Sequence, residues 1–254
     1  MEIETVDITS DTVDEVAVET TNTTETTGIS ETSNAVDAVG ILEVYGLVCA
    51  FMAADAGCKA GNVRLEDFDR NKPANAEDLP VPLIIAVKFR GSVSDVEASM
   101  EAAAEVAKNC TDVISRHVIS SPIGEEMLKL SGFDVRPDSC SCVNDSGMHD
   151  SDICSGVSDS ESHGFIVESH GFVEVSGIVR ATTALDTMCK TADVKFVTQQ
   201  KKLGGRLVTT IIKGEASAVT AALDAVKSDN YINPAVVGAI LNPHPEIMRI
   251  IGRK

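Results

Sequence analysis

The sequence predicts an α+β fold built from two tandem domains of one split-βαβ topology. Three observations carry this. Residues 40–63 and 171–194 match at 11 of 24 positions without a gap. In both copies, short apolar runs alternate with stretches of helical period in the order β-α-β-β-α-β. The copies lie 131 residues apart, too far for a solenoid unit, so each is a domain. A chain of 254 residues holds two domains of about 85–90 residues each, plus connecting segments.

The first copy opens at Ala38, and its apolar run 38–44, closed by Gly46, predicts a strand. Helical spacing follows over 47–60, then strand character over 62–68. Residues 69–82 are polar, hold three prolines and show no period, so a loop is expected. The run 83–89 predicts a strand. Ser94 with Glu97 reads as a capping box opening a helix over 95–109. Its apolar stripe is Val96, Met100, Ala103, Ala104 and Ala107. Residues 113–119 predict the last strand, and a short closing helix follows Pro122.

The second copy repeats the order. It predicts strands at 171–175, 194–199, 207–213 and 236–241, helices at 178–191 and 217–227, and a closing helix after Pro243. The copies differ most between their middle strands: Val63 and Gly91 are 28 positions apart, Val194 and Gly214 only 20. The domains are therefore set at 38–130 and 165–254, with an acidic tail at 1–37 and a Ser/Cys-rich acidic linker at 131–164. A local echo, Ser162-His163-Gly164-Phe165 against Ser169-His170-Gly171-Phe172, reads equally as an extra strand or as a duplicated strand start.

The net charge of −18 is concentrated outside the repeats. Residues 1–37 hold ten acidic residues and no Lys or Arg, and 131–163 hold seven acidic residues with Arg136 alone. The tail has weak apolar periodicity and is expected to be disordered, with a short strand or docking peptide near 13–18 as the alternative. Acidic segments oppose nucleic acid and anionic membranes. Trp is absent and Tyr occurs twice, so base-stacking platforms are scarce. No run reaches the roughly 20 apolar residues of a membrane span. The N-terminus has no basic or apolar region of the secretory kind, so the seven cysteines are expected as thiols or ligands in a reducing setting.

The run Gly40-Ile41-Leu42-Glu43-Val44-Tyr45-Gly46, then Ala53-Ala54-Asp55, Lys59-Ala60 and, after the second helix, His117-Val118-Ile119, resembles the bacterial microcompartment (BMC) shell domain. Two copies in tandem, over about 38–130 and 165–252, are similar to the trimer-forming tandem shell proteins of the propanediol-utilization type. The resemblance implies the ferredoxin-like form of the split βαβ and a homotrimer shaped as a pseudohexameric disc. It implies discs tiling with other shell proteins around encapsulated enzymes in the bacterial cytoplasm, with a central pore for metabolites or electrons and no catalysis.

By matching, the family's shell-edge lysine falls on Lys59 and Lys190. From their residues alone, both read as solvent-facing helix lysines. The pore loop of copy two falls on Leu203, Gly204 and Gly205, flanked by Lys201, Lys202 and Arg206. Glycine there would let backbone amides approach a small polar or anionic solute. An ordinary Gly-Gly hairpin is the alternative. In copy one the matching loop is longer and carries Asp69, Glu77 and Asp78. The family's edge Arg before Pro is missing, with Ser121 and Asn242 in its slots.

No cofactor is expected at that pore, because the Cys-Pro-Gly loop that holds an iron–sulfur cluster in some relatives has no counterpart. Cys140, Cys142 and Cys154 of the linker, with His149 and His163 nearby, leave three readings open: a zinc site or shared iron–sulfur cluster, redox-active thiols, or inert thiols. Cys49, Cys58, Cys110 and Cys189 fall on helices and read as apolar fillers. No nucleophile elbow, phosphate loop or His-Glu-x-x-His occurs. Asp55 with Asp186, and Glu43 with Glu174, recur at matching positions and read as structural. A shell tile leads; an electron- or metal-handling shell protein and a metabolite-sensing trimer are the alternatives, since fold alone does not assign function.

Overall fold

Both repeats fold in the expected order. The computed structural model describes residues 37–75, 78–79, 81–133, 168–201 and 206–252. The first repeat runs β1 (Ala38–Tyr45), α1 (Leu47–Ala60), β2 (Arg64–Leu65), β3 (Asp69–Asn71), β4 (Ile84–Gly91), α2 (Val93–Cys110), β5 (Val113–Ile119) and α3 (Gly124–Leu130). The second runs β6 (Ser169–Ser176), α4 (Ile178–Thr191), β7 (Val194–Gln200), β8 (Leu207–Gly214), α5 (Ala216–Lys227), β9 (Val236–Ile240) and α6 (Pro245–Gly252). The sheets are antiparallel, in order β2-β4-β1-β5 with β3 also on β4, and β7-β8-β6-β9. Each places its first strand in the middle, which is the split-βαβ arrangement.

Strand alternation divides the faces of each sheet. In β6, Val173 and Val175 join the core under α4 and α5, while Phe172 joins the core of the first repeat. In β1, Leu42 and Val44 face inward to the helices, and Val39 meets Leu128 and Phe133 on the far side. Lys88 of β4 is buried on that far side. Its ammonium binds the Asp69 carboxylate at 2.9 Å and the carbonyl of Gly132 at 2.8 Å, and lies 5.5 Å from the centre of the Phe133 ring. That one cation ties the chain after α3 back onto the sheet.

Three expectations need correction. The strand expected over 62–68 is broken, and the loop expected from 69 begins with a strand. Both β2 and β3 pair with β4, with the register displaced by one residue between them. The same one-residue shift interrupts β7 between Phe196 and Thr198, so it belongs to the domain. Such bulges are common at sheet edges. All three side chains of β3 are exposed, so it leaves no apolar period; beside the backbone ladder, the Asp69 carboxylate holds it to Lys88 of β4. The cap of α2 is Ser92, not Ser94: Ser92 Oγ accepts from Asp95 N at 3.2 Å, and the helix starts two residues early.

The tail (1–36), most of the linker (134–167), Glu77, and Leu203, Gly204 and Gly205 lie outside the described residues.

Candidate functional site

The seam between the two repeats buries most of a helix. Helix α1 is apolar on nearly every side, which is the signature of a helix buried all round. Ten of its 14 residues are buried. One flank packs on α2. The other lies on the far face of the second sheet, where the Phe51 and Phe172 rings stack at 5.1 Å with an interplanar angle of 26°. Gly238 of β9 makes room for this: a Cβ there would lie 2.2 Å from Met52 Sδ.

Polar contacts flank the aromatic pair. Leu47 N, at the start of α1, donates to Glu174 Oε1 of β6 at 3.3 Å. Near the other end, Asp55 Oδ1 accepts from His244 N at 2.8 Å, while Oδ2 pairs with Lys59. Leu47, Phe51 and Asp55 are spaced i, i+4, i+8 and so form one stripe. Beyond them α6 grips the edge of the first sheet: Glu246 Oε2 accepts from Leu65 N at 3.1 Å, and Arg249 donates to the Leu65 carbonyl. Burial pushes the Glu246 carboxyl up, but Arg249 and the Leu65 amide outweigh it and hold it below its ordinary value.

Glu174 is fully buried in this seam. Desolvation pushes its carboxyl up to about 7, although the Leu47 and Val48 amides and the Thr209 hydroxyl pull the other way. The positive end of α1 receives it.

The sequence-derived candidates are spread over the surface. Lys59 and Lys190 both stand in the last turn of their helices and pair with Asp55 and Asp186 one turn back. Lys59 is half-exposed, and Lys190 is 74 % exposed. Asp69 sits in β3, paired with Lys88. Arg70 Nη2 reaches Gln200 Oε1 at 2.7 Å and so joins the bases of the two expected pore loops. Asp78 lies in the first loop, next to a cavity of about 350 Å³ lined by Leu79, Val81, Tyr45, Cys110 and Ala235. Cys49 and Cys58 are buried fillers, whereas Cys189 is exposed. Among the described residues no three His, Cys, Asp or Glu gather as a metal site, and Cys140, Cys142 and Cys154 lie outside them. No described helix is long and apolar enough to cross a membrane. Sequence reasoning read Glu174 only as structural and did not see the seam; the all-round apolarity of α1 was the signal for it.

The BMC domain family matches residues 38–122 and again residues 169–245. Among similar proteins, the bacterial microcompartment shell protein PduA of Citrobacter freundii is 37% identical over 86 residues, 33% of this chain and 91% of that protein. The carboxysome shell protein CsoS1A of Hydrogenovibrio crunogenus is 34% identical over 84 residues, 32% of this chain and 86% of that protein. The bacterial microcompartment shell protein EutK of Escherichia coli is 32% identical over 100 residues, 39% of this chain and 55% of that protein. The two sheets, each with its first strand central, are thus the two halves of a tandem, and this chain belongs to the BMC domain family.

Proposed function

We propose that this chain is a structural shell protein of a bacterial microcompartment, and that three copies close into a pseudohexameric tile. Relatives named as shell proteins support the first part. One observation carries the second. The seam inside the chain is heterologous: the outer face of α1 meets a different surface, the far face of the second sheet with α6. Each surface has a counterpart at the other end of the chain that is uncovered at least in part, since α3 and Phe133 cover only some of the far face of the first sheet. On α4, Ile178 and Val179 are 46 % and 64 % exposed, whereas their counterparts Leu47 and Val48 are buried. On the first repeat, Ile123 of the loop before α3 is 90 % exposed. Heterologous contacts that close make rings. Two domains per chain and six places per disc make three chains.

In such a tile the loops at 69–82 and 201–206 converge toward the axis. Leu203, Gly204 and Gly205 with Asp69, Glu77 and Asp78 line the pore for metabolites. Lys59 and Lys190 lie at the rim, against other shell proteins, and one face meets encapsulated enzymes. Sedimentation and electron microscopy test this. The expected result is flat discs of about 80 kDa, three times the 26.8 kDa chain, that pack into hexagonal sheets. A monomer at tens of micromolar would overturn it.

A further inference from the structure

Glu174 closes a helix start that lacks a cap of its own. Gly46, before α1, has φ 83 and supplies no capping side chain. A Cβ on Gly46 would lie 2.7 Å from Glu174 Oε2, so both its backbone angle and the carboxylate call for glycine. The first amides of a helix have no partner within it. A strand carboxylate from the other repeat supplies one, and an anion is favoured there.

Each half of this device recurs without its mate. Gly177, before α4, has φ 92 and ψ 148, close to the 83 and 147 of Gly46, and again offers no capping side chain. A Cβ on Gly177 would meet nothing within 4 Å. The carboxylate half is Glu43 in β1, the counterpart of Glu174. It is half-buried and accepts only from Ser115 Oγ, at 3.0 Å, among the hydrogen bonds described. The α1 stripe recurs on α4 as Ile178, Thr182 and Asp186. The receiving positions recur on the first repeat: Glu43 for Glu174, Ile41 for Phe172 and Ile123 for His244.

We propose that Glu43 of one copy accepts the Ile178 N–H of the next copy, so that a carboxylate-capped α4 forms the chain-to-chain seam. This rests on the ring reading above and names its polar anchor. The occupant is a second copy of this chain, because the matching contact is already made once within it. Asp186 would take the Ile123 amide of the next copy, as Asp55 takes that of His244.

The test is sedimentation equilibrium of the full chain with Glu43→Ala, Ile178→Ala, Ile178→Pro and the Glu43→Ala/Ile178→Pro pair. Proline suits the first position of a helix, so Ile178→Pro deletes the donor while keeping α4, and Ile178→Ala controls for the lost side chain. Losing a charge-assisted hydrogen bond weakens each seam about tenfold, hence the three-seam ring about a thousandfold. The expected result is that loss for Glu43→Ala, a comparable loss for Ile178→Pro beyond Ile178→Ala, and a double variant no weaker than Ile178→Pro alone. Circular dichroism should show every variant folded. A wild-type ring with Glu43→Ala rings equally tight, or with additive losses in the pair, overturns the capped seam alone. A wild-type chain that forms no ring overturns the ring reading and this inference with it.

Discussion

Replacing Glu174 by Gln should remove a pH dependence from the stability of the fold. The carboxyl is fully buried, and its pKa rises from an ordinary 4.5 to about 7, with desolvation as the main cause. A carboxyl with a raised folded pKa holds its proton more tightly folded than unfolded. Its stabilising contribution is therefore complete below about pH 4.5 and lost as the pH rises through about 7. A shift of this size corresponds to ~3 kcal/mol. Gln keeps the shape and an oxygen acceptor for Leu47 N but does not ionise. It leaves an amino group where Glu174 Oε2 has no partner among the described residues.

Urea unfolding at pH 5, 6, 7 and 8, at one protein concentration, measures the difference. Wild type should lose ~2.5 kcal/mol relative to Glu174→Gln between pH 5 and 8. The variant should be the less stable protein at pH 5 and the equal or better one at pH 8. Asp95, Glu168 and Glu246 have pKa values below the ordinary range, so their contributions are present above it and lost as pH falls. That slope has the opposite sign, lies at lower pH and is common to both proteins. An unchanged gap between wild type and variant at pH 5 and pH 8 would refute the reasoning.

Phe51→Ala removes both the stack on Phe172 and the edge contact with Phe68, and should cost ~3–5 kcal/mol in urea unfolding. Lys88→Ala strands the Gly132 carbonyl and frees the chain after α3, so limited proteolysis should cut near residues 124–133 faster than in wild type. Among the four described cysteines, alkylation at pH 8 followed by peptide mass mapping should label Cys189 first, because it is exposed. Cys58 should stay unlabelled until unfolding, since burial pushes its thiol up to about 12.

The element order and the exact bounds of α1 and α4 were legible because each helix follows a glycine that the duplication marks twice. The cap of α2 was missed because two boxes overlap: Ser92 with Asp95, and Ser94 with Glu97. Both fit the pattern, and the earlier one holds. The pairing of β3 was illegible because a strand with every side chain in water carries no period. The seam was half legible. Phe51 and Met52, on the side of α1 away from α2, mark a second buried flank. No pattern in β6 says that Glu174 takes a helix start from another domain, because strand carboxylates look alike until a partner is docked.

The two copies differ where the order of assembly requires it. Within the chain, the second sheet covers Phe51 and Met52 in every folded copy, whether or not that copy has assembled. At the matching positions α4 carries Thr182 and Thr183, which make back-bonds to the Ile178 and Val179 carbonyls at 2.9 and 3.0 Å. A Phe there would add ~1.5–3 kcal/mol when buried, but it would enlarge an exposed apolar patch on every unassembled chain. Threonine gives up that gain and leaves α4 a face that water tolerates. The burden of fixing the register then falls on the polar ends of the stripe, Glu43 to Ile178 and Asp186 to Ile123, where a misaligned neighbour would leave a carboxylate and an amide unpaired. In the proposed ring, apolar packing holds the seam that forms once in each chain, and hydrogen bonding selects the seam that must be found between chains.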